Sequence, residues 1–483
     1  MLEAALLIDS AAVPASNGET FERIDPVSRE VSTRACAASI DDAVRAANAA
    51  ARAFPGWSAT PPGERREFLN KAADILIRRS DDFVEAVVAE TGSTMAWGQF
   101  NCRLAASILR EAAAMATQAT GEVIPAERPG SFAMAVRQPC GVVFSMAPWN
   151  APVILAARSV AMPLACGNTV VLKGSELCPR THGLLGEVLN EAGLPKGCVN
   201  VIHSSPEKAP EIVEALMAHP AVRRVNFTGS TRVGRMIAEK AARHLKRCLL
   251  ELGGKAPVIV LDDADIDAAV DATVFGAFFN QGQICMSTER VVIDERVADE
   301  FLEKFRARAD RIRASDPRDP NCVLGAMITE TAAQRVKGLI NDAEIKGATL
   351  VTGGRQEGVF VDPAILDNVS PAMRIYHEES FGPVASIIRV SGDDEAVSVA
   401  NDTEYGLAAA VFSRDVGRAL TVAQRLETGI CHINSATIHD EPQMPFGGVK
   451  ASGYGRFGGK AGIDEFTELR WITIQQGKNE YPI

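Results

Sequence analysis

Between Cys140 and Gly254, short and nearly uncharged runs alternate with stretches whose apolar residues recur at helical spacing. GVVFSMAP precedes APVILAARSVAMPLACG, NTVVLKGS precedes RTHGLLGEVLNEAG, VNVIHS precedes EKAPEIVEALMAH, VRRVNFTGS precedes RVGRMIAEKAARHL, and CLLELGG closes the series. A strand that is apolar at nearly every position must be covered on both faces, as in a parallel sheet flanked by helices. The pattern therefore predicts a nucleotide-binding α/β lobe over 140–253. Upstream, VRAANAAARAF and FLNKAADILIRRSDDFVEAVVAETG place apolar residues at the spacing of helices, so 41–120 is predicted helical and 1–120 is joined to this lobe. Downstream, RVVID, ATLVTGG, PVASIIRV and AAAVFSR mark a second α/β lobe over 254–452.

Two segments fit neither lobe. Residues 122–138 and the tail FTELRWITIQQ alternate as exposed strands do, and unpaired strands of this kind need a cover. They are grouped as a small β arm and C-terminal tail over 121–139 and 453–483. The length of 483 residues exceeds what one core usually serves, about 250 to 300 residues, which agrees with more than one domain.

Composition narrows the partners. A net charge of −11, without a Lys/Arg cluster able to track phosphates, argues against nucleic acid. Ten cysteines are scattered without C-x-x-C pairs, which suggests neither a disulfide framework nor a metal site. The N-terminus carries Glu3 and Asp9 and lacks the basic start of a secretory signal, so a cytoplasmic location is expected. The most apolar region, 141–167, is broken by Pro148, Pro152 and Pro163 and reads as a buried strand and core helix, not a membrane span.

The chemistry centres on Glu251, beside a Gly-Gly pair in LLELGGK, and Cys285, in FFNQGQICMSTER. A thiol attacks carbonyl carbon as its thiolate, and a nearby carboxylate can prepare water for the second half of a covalent mechanism. Either residue alone is weak testimony, because a buried Cys is most often a small hydrophobe. The stretch ELGGK…GQICMSTER resembles the aldehyde dehydrogenase superfamily, and that resemblance implies Glu251 as general base and Cys285 as nucleophile of a thiohemiacetal and thioester. It also implies a Rossmann-like NAD-binding domain, an α/β catalytic domain and an oligomerisation arm, hence a homodimer or homotetramer.

Other motifs follow in the family's order. VNFTGSTRVG puts Gly229, Ser230 and Gly234 between a strand and a helix, where backbone can approach a pyrophosphate. Gly453, Gly455 and Gly458 match G-x-G-x-x-G more closely, but no strand is predicted before them, and they are set aside. Lys173 and Glu176 in VLKGSE are placed on the adenosine ribose, where a carboxylate accepts from hydroxyls and repels a 2′-phosphate, favouring NAD over NADP. Glu379 and Phe381 in EESFGPV resemble the residues that hold the nicotinamide ribose. Asn150 in PWN is the oxyanion donor that the resemblance implies, together with the Cys285 N–H. Its neighbour Trp149 is placed on the cofactor side of the scaffold.

Arg158, Trp97, Met286 and the loop 437–440 are expected near the substrate. Many relatives carry an aromatic residue where Arg158 stands. That departure, with PGERR, HLKRCLLELGGK and GQICMSTER, makes the chain resemble the aromatic aldehyde branch, salicylaldehyde dehydrogenases above all, with vanillin and benzaldehyde dehydrogenases as competitors. A CoA-acylating enzyme would commonly lack the Glu251 base. A non-catalytic NAD-binding protein would not be expected to keep Cys285, Glu251 and Asn150.

Overall fold

The computed structural model describes residues 1–479 and 481–483. Its first large sheet has eight strands, in the order 453–454, 247–251, 222–228, 142–146, 169–173, 199–202, 6–8 and 11–13. The five strands between 142 and 251 run parallel. Their apolar residues serve both faces: Val143, Val170 and Leu172 join one core cluster, while Val142, Phe144 and Val171 join the other. Double coverage is why these strands read as continuous hydrophobic runs.

The parallel series of this sheet begins at 142–146, lays 169–173 and 199–202 on one side, then returns to place 222–228 and 247–251 on the other. That reversal makes a crevice beyond the carboxyl ends of strands 142–146 and 222–228, the usual binding position in an open α/β sheet. Pro148 to Asn150 follow the first strand, and Gly229 and Ser230 follow the second.

The second sheet has seven strands, in the order 349–352, 364–367, 384–390, 288–294, 256–260, 408–412 and 430–433, all parallel except the first. Four helices, Ile40–Ala59, Pro62–Arg78, Ser80–Thr91 and Met95–Met115, fill the predicted helical region. The first 36 residues, for which the hydrophobic pattern suggested no elements, form five short strands, two of them extending the first large sheet.

The tail strand Thr467–Gln475 pairs antiparallel with Ser131–Pro139, and Glu122–Ile124 completes a three-stranded sheet. Residues 453–466, grouped with this arm from sequence, do not lie in it. Gly453–Tyr454 pairs with the end of Arg247–Glu251, and the helix Gly459–Phe466 packs on the first lobe. The cause is backbone: Gly453, Gly455 and Gly458 all have positive φ, so the G-x-G-x-x-G match is a sharp turn at a sheet edge. No helix among the described residues is long and apolar enough to cross a membrane. The stretch 141–167 is the buried strand Val142–Met146 and the buried helix Pro152–Ala165.

Candidate active site

Two cavities meet at Cys285. One, of about 450 Å³, occupies the crevice at the strand reversal, and Trp149, Asn150, Gly229, Ser230, Glu379 and Phe381 are among its walls. The other, of about 620 Å³, lies on the far side and is walled chiefly by apolar and aromatic residues. Cys285 and Asn150 line both. Glu251 lines the first cavity, at the end of its strand.

The loop that presents Cys285 is held by unusual backbone. Asn280, Gln281 and Gly282 lie in succession in the left-handed region, which for the first two is a strained conformation that needs external support. That support is visible. Gln281 accepts from Gly325 N–H and donates to the Ala326 carbonyl, and Gln283 accepts from Ile328 N–H. Asn280 Nδ2 donates to the Asn150 carbonyl at 3.1 Å, tying the loop to the crevice. Opposite, a Cβ added to Gly254 would sit 2.2 Å from the Cys285 carbonyl oxygen, so only glycine admits the loop there.

Asn150 is fixed from three directions. Its carbonyl accepts from Trp97 Nε1 at 3.0 Å as well as from Asn280, and its own Nδ2 donates to the Gln283 carbonyl at 3.0 Å. One amide hydrogen is thereby used, and the second is left without a partner among the described residues.

Burial dominates the electrostatics. It pushes the Glu251 carboxyl up to about 7, against the Cys285 thiol and Arg158, which act to lower it. Neither Glu251 oxygen meets the geometry of a hydrogen bond to another group. Burial, reinforced by the Glu251 carboxylate, holds the Cys285 thiol well above its ordinary range, so the thiol is protonated at rest. Glu379 is raised to about 8, first by burial and then by Glu289, although its carboxylate accepts from Gly254 N–H at 2.9 Å.

Three of the expected cofactor residues, Lys173, Glu176 and Gly234, lie outside the cavity wall. Lys173 ends the strand beside 142–146 and is buried, with Nζ donating to the Gly174 carbonyl at 3.2 Å. Glu176 is three residues further on, partly exposed, beyond the carboxyl end of the same strand. A Cβ at Gly234 would fall 2.4 Å from Leu252 Cδ2, so this glycine lets the helix Thr231–Arg243 close on its strand.

On the far side, Trp97, Arg158 and Met286 all line the larger cavity. Arg158 is ion-paired with Asp440, both largely buried. The hydrophobic pattern alone did not single out the aromatic wall. Phe275 and Phe279 stack at 4.8 Å, and Phe279 meets Trp97 edge-on at 5.0 Å. Their signal was a helical i, i+4 pair, which ordinary core packing produces as well. Also unassigned were Arg232 and Arg335, on the crevice wall.

A model of the aldehyde dehydrogenase family matches residues 13–472. A vanillin dehydrogenase of Pseudomonas fluorescens is 60% identical over 483 residues, covering all of both chains, and a salicylaldehyde dehydrogenase of Pseudomonas putida is 50% identical over 482 residues, again covering all of both. The crystal structure of a salicylaldehyde dehydrogenase from Pseudomonas putida G7 complexed with salicylaldehyde superposes with a TM-score of 0.98 at 50% identity, covering both chains fully. With the crevice, the thiol and the carboxyl in the positions described, the chain belongs to the aldehyde dehydrogenase family.

Proposed function

We propose that this enzyme oxidises aromatic aldehydes, a hydroxylated benzaldehyde such as salicylaldehyde or vanillin foremost, to the carboxylic acid with NAD⁺. The observation that carries the reading is the position of Cys285 at the meeting of a polar crevice and an aromatic cavity. Flat aromatic walls at Trp97, Phe100, Phe275 and Phe279 suit a ring, which gains both burial and oriented contacts there.

The crevice suits a dinucleotide. Ser230 caps the helix Thr231–Arg243, whose N-terminus faces the crevice with Arg232 beside it, the charge pattern that holds a pyrophosphate. Trp149 and Phe381 stand edge to face at 5.8 Å at its inner end, near Glu379. Lys173 and Glu176 would take the adenosine ribose, with Glu176 favouring NAD⁺ over NADP⁺. When bound, the nicotinamide supplies the two-electron acceptor for the oxidation.

The residues of the chain do the rest. Glu251, whose carboxyl titrates near neutrality, takes the proton of the Cys285 thiol, and the sulfur attacks the aldehyde carbon. The free Asn150 amide hydrogen and the Cys285 N–H hold the oxyanion of the thiohemiacetal. After oxidation a thioester remains on Cys285. Glu251 passes the thiol proton to solvent and then removes a proton from water as the water attacks the thioester carbon; the C–S bond breaks, the electron pair stays with the Cys285 sulfur, which is reprotonated, and the acid leaves.

The arm leaves Leu469, Trp471 and Ile474 exposed, and we assign this strand to contact with a further copy of this chain. The test of the function is a panel of aromatic and aliphatic aldehydes with NAD⁺ and NADP⁺, read as kcat/KM, on wild type and Cys285→Ala. Wild type should favour hydroxylated aromatic aldehydes with NAD⁺, and the variant should bind NAD⁺ without turnover. A wild-type preference for aliphatic aldehydes, or turnover by Cys285→Ala, would contradict the assignment.

A further inference from the structure

The aldehyde cavity carries one buried ion pair in its wall: the Arg158 and Asp440 side chains, 7% and 11% exposed. A lone guanidinium beside an apolar cavity would attract an anionic substrate. Here the positive charge is cancelled in place. The guanidinium is held on one side by Asp440 Oδ2 and on the other by the Phe446 ring, whose centroid is 4.3 Å from Arg158 Cζ. Among the described residues Arg158 donates to Asp440 alone, so most of its five N–H donors are uncommitted. Asp440 Oδ1 is buried without a hydrogen-bond partner. Of the other titratable groups nearby, Cys285 and His439 line the same cavity, His439 being bonded to Glu441 at 2.8 Å, and Glu111 and Glu441 line a small adjoining cavity with Arg158 and Asp440.

We propose that Asp440 is a specificity-determining residue, resting on the aromatic-aldehyde reading above: by neutralising Arg158 it admits rings with an uncharged hydrogen-bonding substituent and rejects rings bearing a carboxylate. A phenolic or methoxy oxygen needs only a donor, which Arg158 keeps in reserve. A carboxylate loses its hydration on entering the cavity, and the attraction of Arg158 that should offset this loss is opposed by Asp440, bonded to the same guanidinium. Asp440→Asn keeps the shape and unmasks a buried cation, for which an anionic ring is the natural partner. Glu251 feels the same two charges with opposite signs, so removing the Asp440 charge should also move its titration to lower pH.

The experiment compares 3-hydroxybenzaldehyde with 3-carboxybenzaldehyde, as the ratio of kcat/KM within each enzyme preparation, for wild type, Asp440→Asn, Asp440→Ala and the double variant Arg158→Met/Asp440→Asn. Taking the ratio within one preparation cancels any loss of folded enzyme. Either single variant should shift the ratio toward the carboxylate ring by about tenfold or more. The double variant should lose that gain, and the acid limb of the pH profile should move down in Asp440→Asn. An unmoved ratio in both single variants, or a gain that persists in the double variant, overturns the proposal alone. Wild type inactive on both rings would overturn the aromatic-aldehyde reading, and this proposal with it.

Discussion

Replacing Glu251 by Gln separates the electrostatics of the site from its shape. The carboxyl is fully desolvated at the end of strand Arg247–Glu251 and is carried from an ordinary 4.5 to about 7. A carboxyl raised by folding is at no disadvantage below pH 4.5, where both folded and unfolded chains keep it protonated. The stability associated with its protonated form is lost as pH rises through about 7, because the unfolded chain ionises freely and the fold must ionise a group it has stripped of water. At about 1.36 kcal/mol per pH unit, the whole interval is worth about 3 kcal/mol. Gln never ionises. The stability of Glu251→Gln relative to wild type should therefore improve by about 3 kcal/mol between pH 4.5 and pH 8.5. Urea unfolding of both proteins without cofactor, at several pH values in that range, measures it. An advantage that stays constant with pH would refute a desolvated, titrating Glu251.

The same residue should shape the kinetics. With a carboxyl near 7, about a tenth is ionised at pH 6 and about nine-tenths at pH 8, so a step that needs the base should speed up about tenfold over that range. In Glu251→Gln this limb should vanish. If an alternative base starts the first half-reaction, about one NADH per site should appear in a burst before a slow steady state.

Asn150→Ala should lower kcat by about 10² to 10³ with KM little changed, since its free amide hydrogen is one of two oxyanion donors; a change in KM alone would assign it to binding. Glu176→Gln should narrow the preference for NAD⁺ over NADP⁺, measured by titrating both cofactors, and a wild type that already prefers NADP⁺ contradicts the role. Trp471→Lys, which charges a residue 77% exposed on the arm, should reduce the oligomer seen by sedimentation, and an unchanged assembly would remove the arm from the interface.

The parallel strands of the first lobe were legible because burial on two faces leaves an apolar run that little else imitates, as at 142–146 and 169–173. The first 36 residues were not, because strands of three to six residues carry too few alternations to stand out. Residues 453–466 were misplaced for a different reason. Their position is decided by left-handed glycines and an antiparallel pairing with Leu250 and Glu251, distant in sequence. Among site residues, Cys285, Glu251 and Asn150 announced themselves through motifs, while Phe275 and Phe279 looked like any helix core pair until the cavity gave them a surface to line. Arg158 stood out as a charge in an apolar stretch, but its partner Asp440 lies 282 positions away and only the fold brings them together.

Long separations also explain why several motifs of the chain belong together. Lys255 ends ELGGK and Glu289 follows Cys285 in MSTER, and their side chains form a buried pair at 2.5 Å. The same Glu289 carboxylate accepts from Ser380 and Phe381 N–H at 2.8 to 3.0 Å, which holds the EESFGPV segment with Phe381 at a φ of 48°. Arg335 grips that segment from outside through the Glu379 and Ser380 carbonyls. Gly253 leaves room for the Glu379 carboxylate and Gly254 for the Cys285 carbonyl. Removing either partner of the Lys255–Glu289 pair would leave an uncompensated buried charge and release the backbone that orients Phe381. Glu251, Cys285 and Glu379 are thus positioned by one connected structure, in which the residues that line the crevice and the residues that carry the buried charge alternate along the same short motifs.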